Sequence, residues 1–130
     1  MCLFCDIINK EIPSKVVYED DDVLAILDIS QTTYGHTLVM PKQHYANLKE
    51  VDKETLDKVI NVVQDLAKKI TTACGANGFN ILNNCGEVAG QTVDHLHFHI
   101  IPRYDENDTV QFGFKTNEFD LDEVLAKING

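Results

Sequence analysis

Apolar and polar positions change their period several times along this 130-residue chain, and each change marks an element. Residues 14–20, "SKVVYED", and 23–29, "VLAILDI", are β-rich runs on either side of an acidic turn, Asp20 to Asp22, which predicts a hairpin. Residues 36–41, "HTLVMP", predict a third strand ended by Pro41. Before them, "FCDIINKEIP" predicts a short helical turn stopped at Pro13. The clearest helix spans residues 51–75. Asp52 can cap it, Glu54 suits its first turn, Lys68 and Lys69 its last, and Gly75 can end it. Its apolar positions are Leu56, Val59, Ile60, Val62, Val63, Leu66 and Ile70, which cover roughly 160° of arc at about 100° per residue. A core-facing stripe needs only about 100°. Two readings stand equally: a deeply seated helix, or one that also meets a second subunit. Residues 78–84, "GFNILNN", predict a fourth strand and 95–101, "HLHFHII", a fifth. Within 118–130, Asp120 and Glu123 suit a capping box, and Leu121, Val124, Leu125 and Ile128 form the stripe of a final helix. The order implies an α+β fold: an antiparallel five-stranded meander sheet with one long helix and a short C-terminal helix, as a single domain over 1–130.

The fifth strand carries the chemistry. His95, His97 and His99 alternate with Leu96, Phe98 and Ile100. In a strand, successive side chains point to opposite faces, so the histidines share one face and the apolar residues can enter the core. In a helix, position 97 would point about 200° away from position 95. Three imidazoles on one face are hard to explain by packing. A single zinc shared by all three is opposed by geometry, because the strand rises about 13 Å from 95 to 99 and a Zn–N bond is about 2.0–2.1 Å. At least one histidine therefore has another task. A largely unprotonated imidazole on a rigid strand suits nucleophilic attack on phosphorus.

Composition narrows the partners. The net charge is −10 and no basic stripe is visible, which argues against a nucleic-acid polymer. No apolar run is long enough to span a bilayer, so a membrane partner is not expected. The N-terminus runs straight into "MCLFCD" with no signal-peptide pattern, and the expected localisation is cytoplasmic, with thiols reduced. Four cysteines then read as metal ligands or buried apolar groups. Cys2 and Cys5 have C-x-x-C spacing, with His44 and His95 available as partners for a metal. Cys74 and Cys85 read as ordinary thiols.

"HLHFHII" resembles the motif of the histidine triad (HIT) family. "DIS" at 28–30, "GHTLVMPKQH" at 35–44 and "NNCGEVAGQTVDHLHFHIIPR" at 83–103 resemble the blocks of its Hint-like, nucleotide-binding branch. The likeness runs from about Phe4 to Tyr104. It implies a HIT-like fold and a nucleotide site in which His97 accepts the nucleotidyl group, His99 holds phosphate oxygens, and the carbonyl of His95 takes the Nδ1–H of His97. It further implies that Asn84, Gly90, Gln91 and Thr92 surround the phosphate, that Asp28 binds the ribose hydroxyls, and that His36 supports the triad. Phe4, Ile7, Ile8, Ile12, Ile26 and Ile29 become candidates for the base pocket and its surroundings. Zinc-bearing relatives in the superfamily imply a structural zinc on Cys2, Cys5, His44 and His95, and no catalytic metal. Two positions depart from the pattern: Thr92 stands where serine is usual, and Asp94 where an aromatic or apolar residue is common.

The expected activity is that of a hydrolase. It would release a purine nucleoside monophosphate, AMP or GMP, from a leaving group through a nucleotidyl–His97 intermediate, most simply as a phosphoramidase acting as a homodimer. Two alternatives are a dinucleoside polyphosphate hydrolase and a non-enzymatic nucleotide-binding or interaction protein.

Overall fold

A computed structural model describes residues 2–130. Helix α1 (Leu3–Ile8) opens the chain, followed by strands β1 (Val16–Glu19), β2 (Val23–Leu27) and β3 (Thr37–Pro41), helix α2 (Lys53–Cys74), strands β4 (Gly78–Leu82) and β5 (Phe98–Arg103), and helix α3 (Leu121–Asn129). All five strands pair antiparallel in the order β1-β2-β3-β5-β4. The first three run as a meander. The long helix then carries the chain across, so that β5 lies between β3 and β4.

Local chemistry sets the boundaries. The Asp20 carboxylate accepts the backbone N–H groups of Asp22 and Val23, both at 2.7 Å, and fixes the β1–β2 turn. The Asp52 side chain caps α2 by accepting from Thr55, and Gly75 ends it at φ +72°. Lys68 and Lys69 stand before the last turn, which has no basic residue, and the end is closed instead by the left-handed glycine and the Ala76 N–H, which donates to the Thr71 carbonyl. Helix α1 stops at Asn9 and Lys10, the latter at φ +65°, ahead of Pro13. The Asp120 side chain caps α3 by accepting from Asp122 and Glu123.

The sheet is covered on both faces, which explains why β2 and β3 read as continuous apolar runs. Val23, Ala25, Val39, Phe98 and Ile100 meet Val59, Val63, Leu66, Ala67 and Ile70 of α2 on one face. Leu24, Ile26, Leu38 and Met40 meet Phe4 and Ile7 of α1 on the other. Ile60 lies outside the buried stripe of α2 and stays exposed, as do Leu121, Leu125 and Ile128 on α3. The apolar stripe of α3 is not covered within the chain. Among the described residues, no helix is long and apolar enough to cross a membrane.

The fifth strand begins later than the sequence predicts. Its pairing with β3 ends at Val39 and Phe98. Beyond that point Pro41 has no N–H to donate, its carbonyl is taken by the His95 ring, and the Leu96 N–H donates to Tyr45 instead. His95 and His97 therefore precede β5, and only His99 lies within it.

Candidate active site and metal centre

The two-faced character of the histidine segment holds although its first half is not a strand. Leu96, Phe98 and Ile100 enter the core beneath α2. His97 lies on the opposite side, its ring 4.9 Å from that of Phe4 and 5.1 Å from that of His99. His95 and His97 are buried, and among the described residues no buried side-chain nitrogen or oxygen lacks a hydrogen-bond partner.

Those partners fix the ring protons. The Nδ1 of His97 lies 2.8 Å from the His95 carbonyl, which can only accept, so Nδ1 carries the hydrogen and Nε2 keeps a lone pair. The Thr32 N–H donates to Nδ1 of His36 at 3.3 Å, which leaves the hydrogen of His36 on Nε2. That Nε2 lies 2.9 Å from Nδ1 of His99 and 3.6 Å from the Asp28 carboxylate. Nδ1 of His99 accepts, and its Nε2–H is the outward donor. Burial holds the His36 and His97 imidazoles below the ordinary histidine value, although Asp28 opposes it at both. His99 is pushed down to about 4 by burial first, then by the neighbouring His97 and His36. His99 is thus a neutral hydrogen-bond donor near pH 7.

Two cavities meet at His97, His99 and Thr92. The first, about 290 Å³, has apolar walls from Leu3, Phe4, Ile7, Ile12, Ile26, Leu38 and Val93, with Asp28 among its few polar groups. Ile29 stands at its rim, fully exposed. Asp28 accepts the Ser30 N–H at 2.8 Å through one oxygen and turns the other toward His36. The second cavity, about 320 Å³, is lined by Asn84, Gly90 and Thr92, by His36, His97 and His99, and by the stretch from Thr109 to Phe112. Gly90 has φ +99°, and a Cβ there would lie 3.4 Å from the Asn84 amide, so glycine suits the turn that brings this loop to the site. Gln91 plays a different part from its neighbours. Its N–H donates to Gly86, its amide nitrogen to Ala46 and Val93, and its amide oxygen accepts from Gly86. It is a brace inside the loop, with its own donors already used.

His95 serves neither cavity. Its Nε2–H donates to the Pro41 carbonyl at 2.8 Å, which frees Nδ1. That Nδ1 lies 3.4 Å from Cys2 Sγ, 3.5 Å from Cys5 Sγ and 3.2 Å from His44 Nδ1, and Cys5 Sγ lies 3.4 Å from His44 Nδ1. All four ligand atoms fall within 4.8 Å of one another. Zinc bonds of about 2.0–2.3 Å in a tetrahedron give edges of about 3.3–3.8 Å, so the residues fit a four-coordinate metal. The carbonyl that fixes the His95 ring is the outer-shell partner such a ligand needs. Without a cation, burial and the neighbouring Cys2 raise the Cys5 thiol to about 11. A bound divalent ion reverses that balance. Asp94 is exposed on the rim beside this group.

Sequence reasoning missed part of the lining. Leu3, Ser14, Leu27, Leu38 and Val93 reach the apolar cavity from α1, the end of β2, the start of β3 and two loops, which no local pattern brings together. Residues 109–112 line the second cavity, although nothing in their composition marks them. Ile8, the last residue of α1, packs partly buried against the core on that face, next to the apolar cavity but not in its lining.

A family model described as the HIT domain matches residues 9–106. An uncharacterized HIT-like protein of Methanocaldococcus jannaschii is 51% identical over 131 residues, covering 100% of both chains. A Saccharomyces cerevisiae protein named adenosine 5'-monophosphoramidase is 40% identical over 136 residues, covering 99% of this chain and 84% of its own. The crystal structure of a HIT family member from Bacillus subtilis superposes with a TM-score of 0.92 at 44% identity, covering 98% of this chain and 94% of that one.

Proposed function

The chain belongs to the HIT family, and from that premise we propose that it is a nucleotide hydrolase, most specifically a purine nucleoside phosphoramidase acting through a nucleotidyl–His97 intermediate. The observation that carries this reading is the 2.8 Å hydrogen bond from His97 Nδ1–H to the His95 carbonyl, which leaves the Nε2 lone pair free where the two cavities meet. The base and ribose of a nucleoside monophosphate enter the apolar cavity, and Asp28 accepts from the ribose hydroxyls. The phosphoryl group lies between His97, His99 and the loop bearing Asn84, Gly90 and Thr92. His97 Nε2 attacks phosphorus and the P–N bond to the leaving amine breaks. That nitrogen takes up a proton, relayed from solvent by the exposed Thr92 hydroxyl. The Nε2–H of His99 donates to a phosphoryl oxygen as charge builds there. Water then attacks phosphorus, the N–P bond to His97 breaks, and the monophosphate leaves.

Cys2, Cys5, His44 and His95 hold a zinc ion whose closed shell of four protein ligands supplies a cross-link, with no open position for substrate. The protein works in the cytoplasm as one domain, paired as a homodimer through the region of α2.

The walls of the second cavity favour an amine over a polyphosphate as leaving group. Among the described residues they include no lysine or arginine, and their histidines are neutral near pH 7. A polyphosphate chain brings several negative charges into a protein of net charge −10, and these walls offer no cation to meet them. The name of the yeast relative supports the same choice. Purified protein incubated with adenosine 5'-phosphoramidate and, separately, with diadenosine tetraphosphate tests it. Faster AMP release from the phosphoramidate is expected. Binding of AMP without hydrolysis of either compound would favour a non-enzymatic binding protein.

A further inference from the structure

We propose that Phe4 is a positioning residue for His97, and that a metal held at the four-ligand group acts on the chemistry through it. The proposal rests on the reading of His97 as nucleophile. It starts from α1, a six-residue helix. A helix of that length is marginal on its own and depends on what pins it. Two features pin it. Phe4 and Ile7 are buried against β2 and β3. Cys2 at the N-cap and Cys5 one turn later direct their sulfurs at the His95 ring.

Phe4 lies between those two cysteines and is 5% exposed. Its ring meets His97 edge-on, with centroids 4.9 Å apart at 87°, and meets His95 at 5.9 Å and 74°. The His97 ring is thus held from two sides. The His95 carbonyl sets its tautomer, and the Phe4 ring limits its rotation. Both constraints lead back to the metal group, since His95 is one of its ligands and Phe4 is bracketed by two others. The same helix supplies Leu3, Phe4 and Ile7 to the apolar cavity. A metal closing the group fixes the nucleophile and one wall of the nucleoside pocket together. Its loss releases both.

The test uses the metal-loaded full chain. Phe4→Leu keeps an apolar side chain but loses the ring edge, and Phe4→Ala removes the wall. Zinc content, histidine ¹⁵N NMR, AMP affinity by calorimetry, and kcat and KM on adenosine 5'-phosphoramidate are measured for each. Expected are one zinc per chain, a His97 spectrum shifted from a pure Nδ1–H tautomer toward a mixture, and a kcat about tenfold lower for Phe4→Leu. AMP binding should weaken about threefold in Phe4→Leu and more in Phe4→Ala. Wild type stripped by a chelator should change in the same direction and recover with one equivalent of Zn²⁺. Zinc-loaded Phe4 variants with the wild-type His97 spectrum and kcat would overturn the proposal. So would a folded, stripped wild type that binds AMP with unchanged affinity and keeps its His97 spectrum. If stripping unfolds the chain, the Phe4 variants decide. If wild type fails to hydrolyse the phosphoramidate, the functional reading falls, and the His97 spectrum and AMP affinity still decide this one.

Discussion

Leu96→Ala separates the two faces of the histidine segment in one experiment. Leu96 is 1% exposed and lies in the core beneath α2 with Val59, Val63 and Ile100. Truncating a buried leucine costs about 2.7–5.0 kcal/mol, the sum of lost transfer energy and the cavity left behind. The backbone here is tied down, since the Leu96 N–H donates to Tyr45 at 2.7 Å and both flanking histidines are hydrogen-bonded. The site therefore collapses poorly, and about 3.5 kcal/mol is expected. With a urea m-value of about 1.5–2 kcal/mol/M for a chain of this size, the unfolding midpoint should fall by about 2 M. That is a large part of a typical 5–15 kcal/mol stability. The chemistry should survive, because the tautomer of His97 is set by the His95 main chain on the other face, and kcat of the folded fraction should stay within about threefold. Urea titration followed by circular dichroism, with turnover measured well below the midpoint, checks both halves. A loss under about 1 kcal/mol, or a hundredfold loss of kcat at full stability, would refute the division of faces.

The remaining expectations concern charge, metal and assembly. His36 and His99 are held below the unfolded histidine value of about 6.5, so the unfolded chain binds more protons in that range and stability should fall as pH drops from about 6.5 toward the value near 4 of His99. Denaturant midpoints at stepped pH should show this slope, and His99→Gln should reduce it. Protein purified without chelator should contain one zinc per chain, and Cys5→Ser should lose it by elemental analysis. Unchanged zinc would contradict the ligand set. Light scattering at micromolar concentration should give about twice the 14.6 kDa chain mass, and a persistent monomer would remove the case for pairing.

How much of this was legible in the sequence follows from which forces are local. The α2 caps, the β1–β2 turn and the alternation around His97 depend on residues a few positions apart, and each appears where the pattern predicts it. The Cys2–Cys5 pair was legible from its spacing, while the choice of His44 and His95 as its partners came from the family resemblance, and the four do converge. The late start of β5 was not legible, because it depends on Pro41 and Tyr45 taking the hydrogen bonds of a segment some fifty residues away. Nor was the bracing role of Gln91, whose amide nitrogen reaches Ala46 in a different loop. The broad apolar arc of α2 became a narrower buried stripe with Ile60 outside it, a division that only the position of the sheet decides.

The central claim is that His97 forms a covalent bond to phosphorus, and trapping that bond tests it most directly. Wild-type protein mixed with adenosine 5'-phosphoramidate, quenched in alkali within the first turnovers and analysed by intact-mass and peptide mass spectrometry, should carry one adenylyl group on His97. His97→Ala should carry none and should lose kcat by orders of magnitude, while AMP affinity changes only a few-fold because Asp28, Asn84 and the 90–92 loop remain. An adduct on another residue, or AMP release by His97→Ala at the wild-type rate, would contradict the account.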